Sequence, residues 1–205
     1  MGPKRTGSYH HGDLRRALVA AALEVIDQRG SPDFSLRALA QQLNVSHASA
    51  YRHFGSKDEL LRAVAGEGLE QLAQEIRRAG EGVGELGEVI RRCGLAYVRF
   101  GQRNPGLYQL IFSSVVQEHE ESRAAADQVL DISAELVGAA QQAGLVRAGD
   151  PQDHARAAWA LLHGMVDLEL RGQFWRRTEE EVLEHAEGLL DVFLHGLFLR
   201  EDADA

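Results

Sequence analysis

Apolar side chains recur at three- and four-residue intervals along almost the whole chain, and they do not alternate singly as in a half-buried strand. Leu14, Leu18, Ala21, Ala22 and Val25 form one face of a first helix, which Asp13 can cap and which Gly30 and Pro32 end. Leu36, Leu39, Ala40 and Leu43 form a second, with Ser35 as its cap. Asn44 follows, a residue that tolerates the left-handed backbone a helix needs to stop abruptly. Val45 returns to the core, and Ser46 caps a third helix running to about Phe54. Ser56-Lys57-Asp58-Glu59 has the form of a capping box and opens a fourth helix that reaches about Arg78. Residues 80–87, GEGVGELG, then break the pattern.

Further helices are expected at about 88–103, 105–115, 120–143, 151–172 and 179–199. Asn104-Pro105 and Asp150-Pro151 each put proline at the first helical position, where its missing N–H does no harm, and Thr178 with Glu181 makes a second capping box. The result is an all-α chain of nine helices. Its divisions are a basic arm at 1–12, a three-helix unit at 13–60, a fourth helix at about 57–79 that connects the parts, and a helical carboxy-terminal domain at 80–205. The last helix has a broad apolar surface: Leu183, Leu190, Leu194 and Leu197, backed by Val182, Leu189, Phe193 and Phe198. A helix needing cover on several sides serves its own domain and a partner, or sits at the centre of one core.

The pair of short helices from Ser35 to Phe54 has the layout of a helix-turn-helix, whose second helix lies in the DNA major groove. Ser46, His47, Ala48 and Ser49 stand at the amino end of that helix. Serine and histidine suit base edges or phosphates, and alanine suits a thymine methyl. Tyr51, Arg52 and His53 follow one turn later, while Lys57 and Ser35 are placed for phosphate contacts. Taken singly, each is also an ordinary helix-surface residue. The charge distribution favours DNA despite a net charge of -9: residues 1–62 hold nine Lys/Arg against six Asp/Glu (+3), and the remainder thirteen against twenty-five (-12).

Composition removes other classes. The single cysteine, Cys93, leaves no internal disulfide framework and fits a reducing cytoplasm. No apolar run approaches the roughly 18 residues of a membrane span. The basic amino terminus lacks an apolar signal core, so a cytoplasmic location is expected. Gly82 to Gly87 matches G-x-G-x-x-G, but a charged helix precedes it where a dinucleotide site needs a strand. Glu118-His119-Glu120-Glu121 places potential metal donors side by side, where they do not share a helix face. No cofactor, metal or catalytic set is expected, and the chain is not expected to be an enzyme.

The stretch VSHASAYRHFGSKDELLRAVA resembles the signature of the tetracycline-repressor (TetR) family, with its Tyr51-x-His53-Phe54-x-x-Lys57 element entering helix four. YHHGDLRRALVAAALEVI is similar to that family's first helix. Trp159, His163 and Gly164 resemble the branch whose carboxy-terminal domain is called the WHG domain. Asn44 departs from the glycine often found at the turn, and Ala50 from a larger apolar residue, so helix three is expected to pack closely on helix one.

The resemblance implies a homodimer joined through the last two helices, bound to a palindromic operator in double-stranded DNA. It also implies a small-molecule effector held in the carboxy-terminal helices, and no membrane partner. Tyr97, Phe100, Tyr108, Phe112, Trp159, His163, Met165 and Asp167 are the candidate pocket residues, apolar with a few polar handles. Aromatic residues at helical spacing equally suit plain core. His163 and Asp167, one turn apart, either orient a ligand or satisfy each other.

Overall fold

The computed structural model describes residues 11–173 and 178–197, and among them every regular element is helical. The chain forms α1 (His11–Arg29), α2 (Leu36–Gln42), α3 (His47–His53), α4 (Lys57–Gly80), α5 (Leu86–Arg103) and α6 (Pro105–Ile111). It continues with α7 (Ser114–Gln117), α8 (Glu120–Gln142), α9 (Pro151–Leu170) and α10 (Glu179–Leu197). Nine of these match the expected helices in turn. The addition is α7, a single turn that takes up the end of the expected 105–115 helix. The amino-terminal arm and Phe198 lie outside the described residues, as do the side chains of Asp13 and Leu197.

Local chemistry sets the boundaries. Asp13 lies within α1 and not ahead of it. α5 starts two residues earlier than the apolar pattern suggests because the Glu85 carboxylate accepts from the backbone N–H groups of Gly87 and Glu88, at 3.0 and 3.1 Å. At Asn104 the side chain turns back and donates to the carbonyl of Phe100, so Pro105 alone marks the start of α6. The box at Thr178 is complete: its hydroxyl accepts from Glu181 N–H, and its own N–H donates to the Glu181 carboxylate.

α4 runs through the middle of the molecule and packs against α1, α5, α6, α7 and α8. α8 lies on α9, and α10 on α5 and α9. Arg91–Asp191 and Arg103–Glu179 tie α5 to α10 by ion pairs. Both pairs remain open to solvent, Arg103–Glu179 the more so, and they set register more than they add stability. Buried side chains from Leu14 to Leu190 form one continuous apolar cluster, which crosses the 80–87 boundary without a break. One close approach across it is at Gly106, where a Cβ would stand 2.8 Å from the carbonyl oxygen of Ile26. Only glycine lets α6 sit this near α1. Among the described residues, no helix is long and apolar enough to cross a membrane.

Candidate functional site

The helix-turn-helix is built by its caps. Ser35 accepts from Ala38 N–H at 3.1 Å and starts α2; Ser46 accepts from Ser49 N–H at 3.1 Å and starts α3. Between them Asn44 has φ 56°, the one positive-φ residue other than glycine among those described. That conformation lets Val45 N–H reach the Ala40 carbonyl and Asn44 N–H reach the Gln41 carbonyl, the paired bonds of a Schellman stop. α3 then buries Ala50, and Phe54 just past its end, against α1 and α2. Its opposite face carries His47, Ala48, Tyr51 and Arg52, all exposed and spaced so that pairs four apart stand side by side.

Charge and shape on this face are held in place. The Arg52 guanidinium donates to Ser49 Oγ at 3.0 Å, and Ser49 and Ser46 hydroxyls are 2.8 Å apart, so the three form one chain along the helix. Lys57 opens α4 with its ammonium 5.1 Å from the centre of the Phe34 ring, and Arg15 lies 5.1 Å from that of Phe54. Such cation–π contacts restrain a long side chain without cancelling its charge. Ser56 caps α4 through Glu59 N–H, and the Glu59 carboxylate returns to Gly55 N–H at 2.7 Å.

A second site lies among the longer helices, where a cavity of about 450 Å³ opens. Leu69, Leu72 and Ile76 of α4 form one wall; α5, α8, α9 and α10 supply most of the rest. At one end His163 is enclosed by aromatic rings: Trp159 and Tyr108 stacked at 5.0 and 5.5 Å, Phe112 edge-on at 4.5 Å. Its Nδ1 is 2.6 Å from the Tyr108 hydroxyl and 3.0 Å from that of Tyr97, and the two hydroxyls are 3.0 Å apart. Burial raises both phenols above their ordinary range, so they stay protonated. Burial also lowers His163, against a weaker opposing effect of the Asp167 charge, so the imidazole is neutral near pH 7. Both tyrosine hydroxyls can donate when Nδ1 accepts, Tyr108 to the ring and Tyr97 to Nδ1 or to Tyr108, an arrangement that puts the ring proton on Nε2.

Two family models match the chain. Residues 18–64 match "Bacterial regulatory proteins, tetR family", and residues 90–193 match "Tetracyclin repressor-like, C-terminal domain". This chain belongs to the tetR family. It is a DNA-binding transcriptional regulator of the helix-turn-helix type. It is 29% identical to the uncharacterized HTH-type transcriptional regulator YobS of Bacillus subtilis over 191 residues, 92% of this chain and 94% of that one. The nicotine-responsive transcriptional repressor HdnoR of Paenarthrobacter nicotinovorans is 41% identical over 66 residues, 32% of this chain and 34% of that repressor. A solved structure of a protein of unknown function from Rhodococcus sp. RHA1 is similar with a TM-score of 0.80 and 30% identity, covering 94% of this chain and all of that one.

Within this tetR-family frame the structure sorts the residues singled out from sequence. Ser35, Ser46, His47, Ala48, Tyr51 and Arg52 are exposed on the head, while Ser49, His53 and Lys57 are half-buried. Of the eight pocket candidates, Tyr97, Phe112, Trp159 and His163 line the cavity. Phe100 and Met165 are packed in the core away from its wall, and Tyr108 stands behind it, against Tyr97, Phe112 and His163. Asp167 does not satisfy His163: its carboxylate takes a 2.7 Å bond from Arg171, which holds its pKa low. The aliphatic wall from α4, together with Gln117, Ser133, and Asp127 and Arg156 at the rim, went unnoticed in the sequence. Aliphatic residues at helical spacing look like any core, and only the packing of α4 against α8 exposes them to a void.

Proposed function

We propose that the protein is a homodimeric repressor that binds a palindromic operator and is released from it by a small molecule entering the cavity. One observation carries this: α4 begins at Lys57, beside the reading head, and forms a cavity wall from Leu69 to Ile76. At about 1.5 Å per residue the two are roughly 18–28 Å apart on one rigid element. A ligand that displaces the wall tilts the helix and moves the head. In a dimer this changes the separation of two recognition helices, which must match about one DNA turn or a multiple of it.

His47, Ala48, Tyr51 and Arg52 face the bases, with Ser46, Ser49 and His53 at the groove edge and Ser35 and Lys57 on phosphates. The dimer joins through α9 and α10, where Leu168 and Val192 are exposed. The protein acts in the cytoplasm as a binding protein and not as a catalyst. By linkage, operator and ligand weaken each other by one factor, about 10- to 100-fold. Sequencing host DNA fragments retained by the protein yields the operator. Compounds that raise its melting temperature are then titrated into the complex. Equal operator affinity with and without a bound compound rejects the scheme.

A further inference from the structure

We infer that the effector is an electrically neutral, largely apolar molecule carrying a hydrogen-bond acceptor, such as a ketone or ester carbonyl, which takes a hydrogen bond from Nε2 of His163. The inference rests on the cavity being the effector site. The walls from α4, α5 and α10 are aliphatic or aromatic apart from Cys93 and Tyr97. The formal charges that line the cavity, Asp127 and Arg156, belong to exposed residues at its rim. The Asp167 carboxylate acts on His163 but is already paired with Arg171 at 2.7 Å, so a charged group carried to the His163 end would leave water without a free counter-charge, a large penalty.

The polar handle at that end takes its sense from the two tyrosines. Nδ1 lies within hydrogen-bond distance of both Tyr97 and Tyr108 hydroxyls, which saturates that edge of the ring. Nε2 is then the edge left for a ligand, and as N–H it donates. A ligand acceptor completes the network, whereas a ligand donor meets another donor. Trp159 and Phe112 flank the same imidazole and favour a flat, polarisable skeleton next to the acceptor. The buried thiol of Cys93 is already spent on the Ile76 carbonyl at 3.3 Å and adds no second handle.

A matched set of biphenyls tests this by titration calorimetry on the full-length protein without DNA. The probes are 4-acetylbiphenyl, 4-isopropylbiphenyl, biphenyl-4-carboxylate and biphenyl-4-ylmethylammonium. The ketone is expected to bind about 5- to 10-fold tighter than the hydrocarbon, the worth of one net hydrogen bond, and at least 100-fold tighter than either ion. His163→Phe should abolish the preference for the ketone, so that ketone and hydrocarbon bind within about twofold of each other. Should that variant fold poorly, Tyr108→Phe with ¹⁵N NMR of the histidine rings serves instead. Wild type should hold the Nε2–H tautomer, and loss of the Tyr108 hydroxyl should mix the tautomers and reduce the preference.

Tightest binding by the ammonium or the carboxylate overturns the inference, as does an undiminished ketone preference in the variants or no binding by any probe. A ketone that binds through His163 yet leaves operator affinity unchanged upholds the ligand class and rejects the release mechanism, so the two failures are distinct.

Discussion

The ammonium of Lys57 lies 5.1 Å from the centre of the Phe34 ring, which fixes a cation at the very start of α4 and beside the amino end of α2. Its charge is available to a phosphate while its stem stays packed. Lys57→Ala should therefore lower operator affinity on the order of tenfold and reduce the slope of log affinity against log salt by about 1. Tyr51, 53% exposed on the outer face of α3, should cost on the order of 10- to 100-fold as Tyr51→Ala. Both should keep their unfolding free energy within about 0.5 kcal/mol of wild type. Fluorescence anisotropy across a salt series, with urea unfolding alongside, measures each quantity.

Asn44 carries the left-handed turn between α2 and α3. Asn44→Val puts a branched Cβ into that conformation and should destabilise by about 1–2 kcal/mol. Asn44→Gly should be neutral within a few tenths of a kcal/mol or slightly stabilising, because glycine adopts the turn freely at some cost in unfolded-state entropy. Urea midpoints of the two variants, compared with wild type, decide the order.

Two glycines in helices should respond in opposite directions. At Gly106 an added Cβ meets the Ile26 carbonyl oxygen and Cγ2, each at 2.8 Å, so Gly106→Ala must push α6 off α1. A loss of about 1–3 kcal/mol is expected. At Gly66, inside α4, nothing lies within 4 Å of the added atom, and Gly66→Ala should gain about 0.5–1 kcal/mol from helix propensity. Calorimetric melting of both variants checks the contrast.

His163 links stability to pH. Its native pKa is lowered by burial, so the unfolded chain takes up the proton first as pH falls. Its contribution is fully present above the unfolded value of about 6.5 and is lost as pH falls toward the native one. The difference in unfolding free energy between wild type and His163→Phe should therefore shift against wild type between about pH 7.5 and 5.5. A pH-independent difference would mean that His163 titrates normally in the native protein.

Much of the head was legible because its instructions are local. Ser35, Ser46 and Ser56 are caps, Asn44 is a turn residue, and each acts on a backbone group three or fewer residues away. The cavity was half legible because its instructions are not local. Tyr97 and Phe100 are one turn apart on α5, and only the angle at which neighbouring helices cross decides that one meets the void and the other does not. Leu69, Leu72 and Ile76 carry no chemical flag, so nothing in their identity separates a cavity wall from filled core. The extra turn α7 escaped notice for a related reason. Ser113 and Gln117 stabilise it through bonds to the Leu110 and Ile111 carbonyls, which exist only once α6 has stopped.

The close approach of Gly106 to Ile26 also bears on how such regulators are recombined. A head grafted from a relative at the glycine-rich 80–87 segment would meet a foreign α6, and the pair would match only if the incoming Ile26 and the resident Gly106 agreed in shape. The practical unit of exchange is thus discontinuous in sequence: α1 to α4 together with the first turn of α6. Where the two disagree, a chimera built at the 80–87 segment alone inherits a mismatch that no choice of linker can repair.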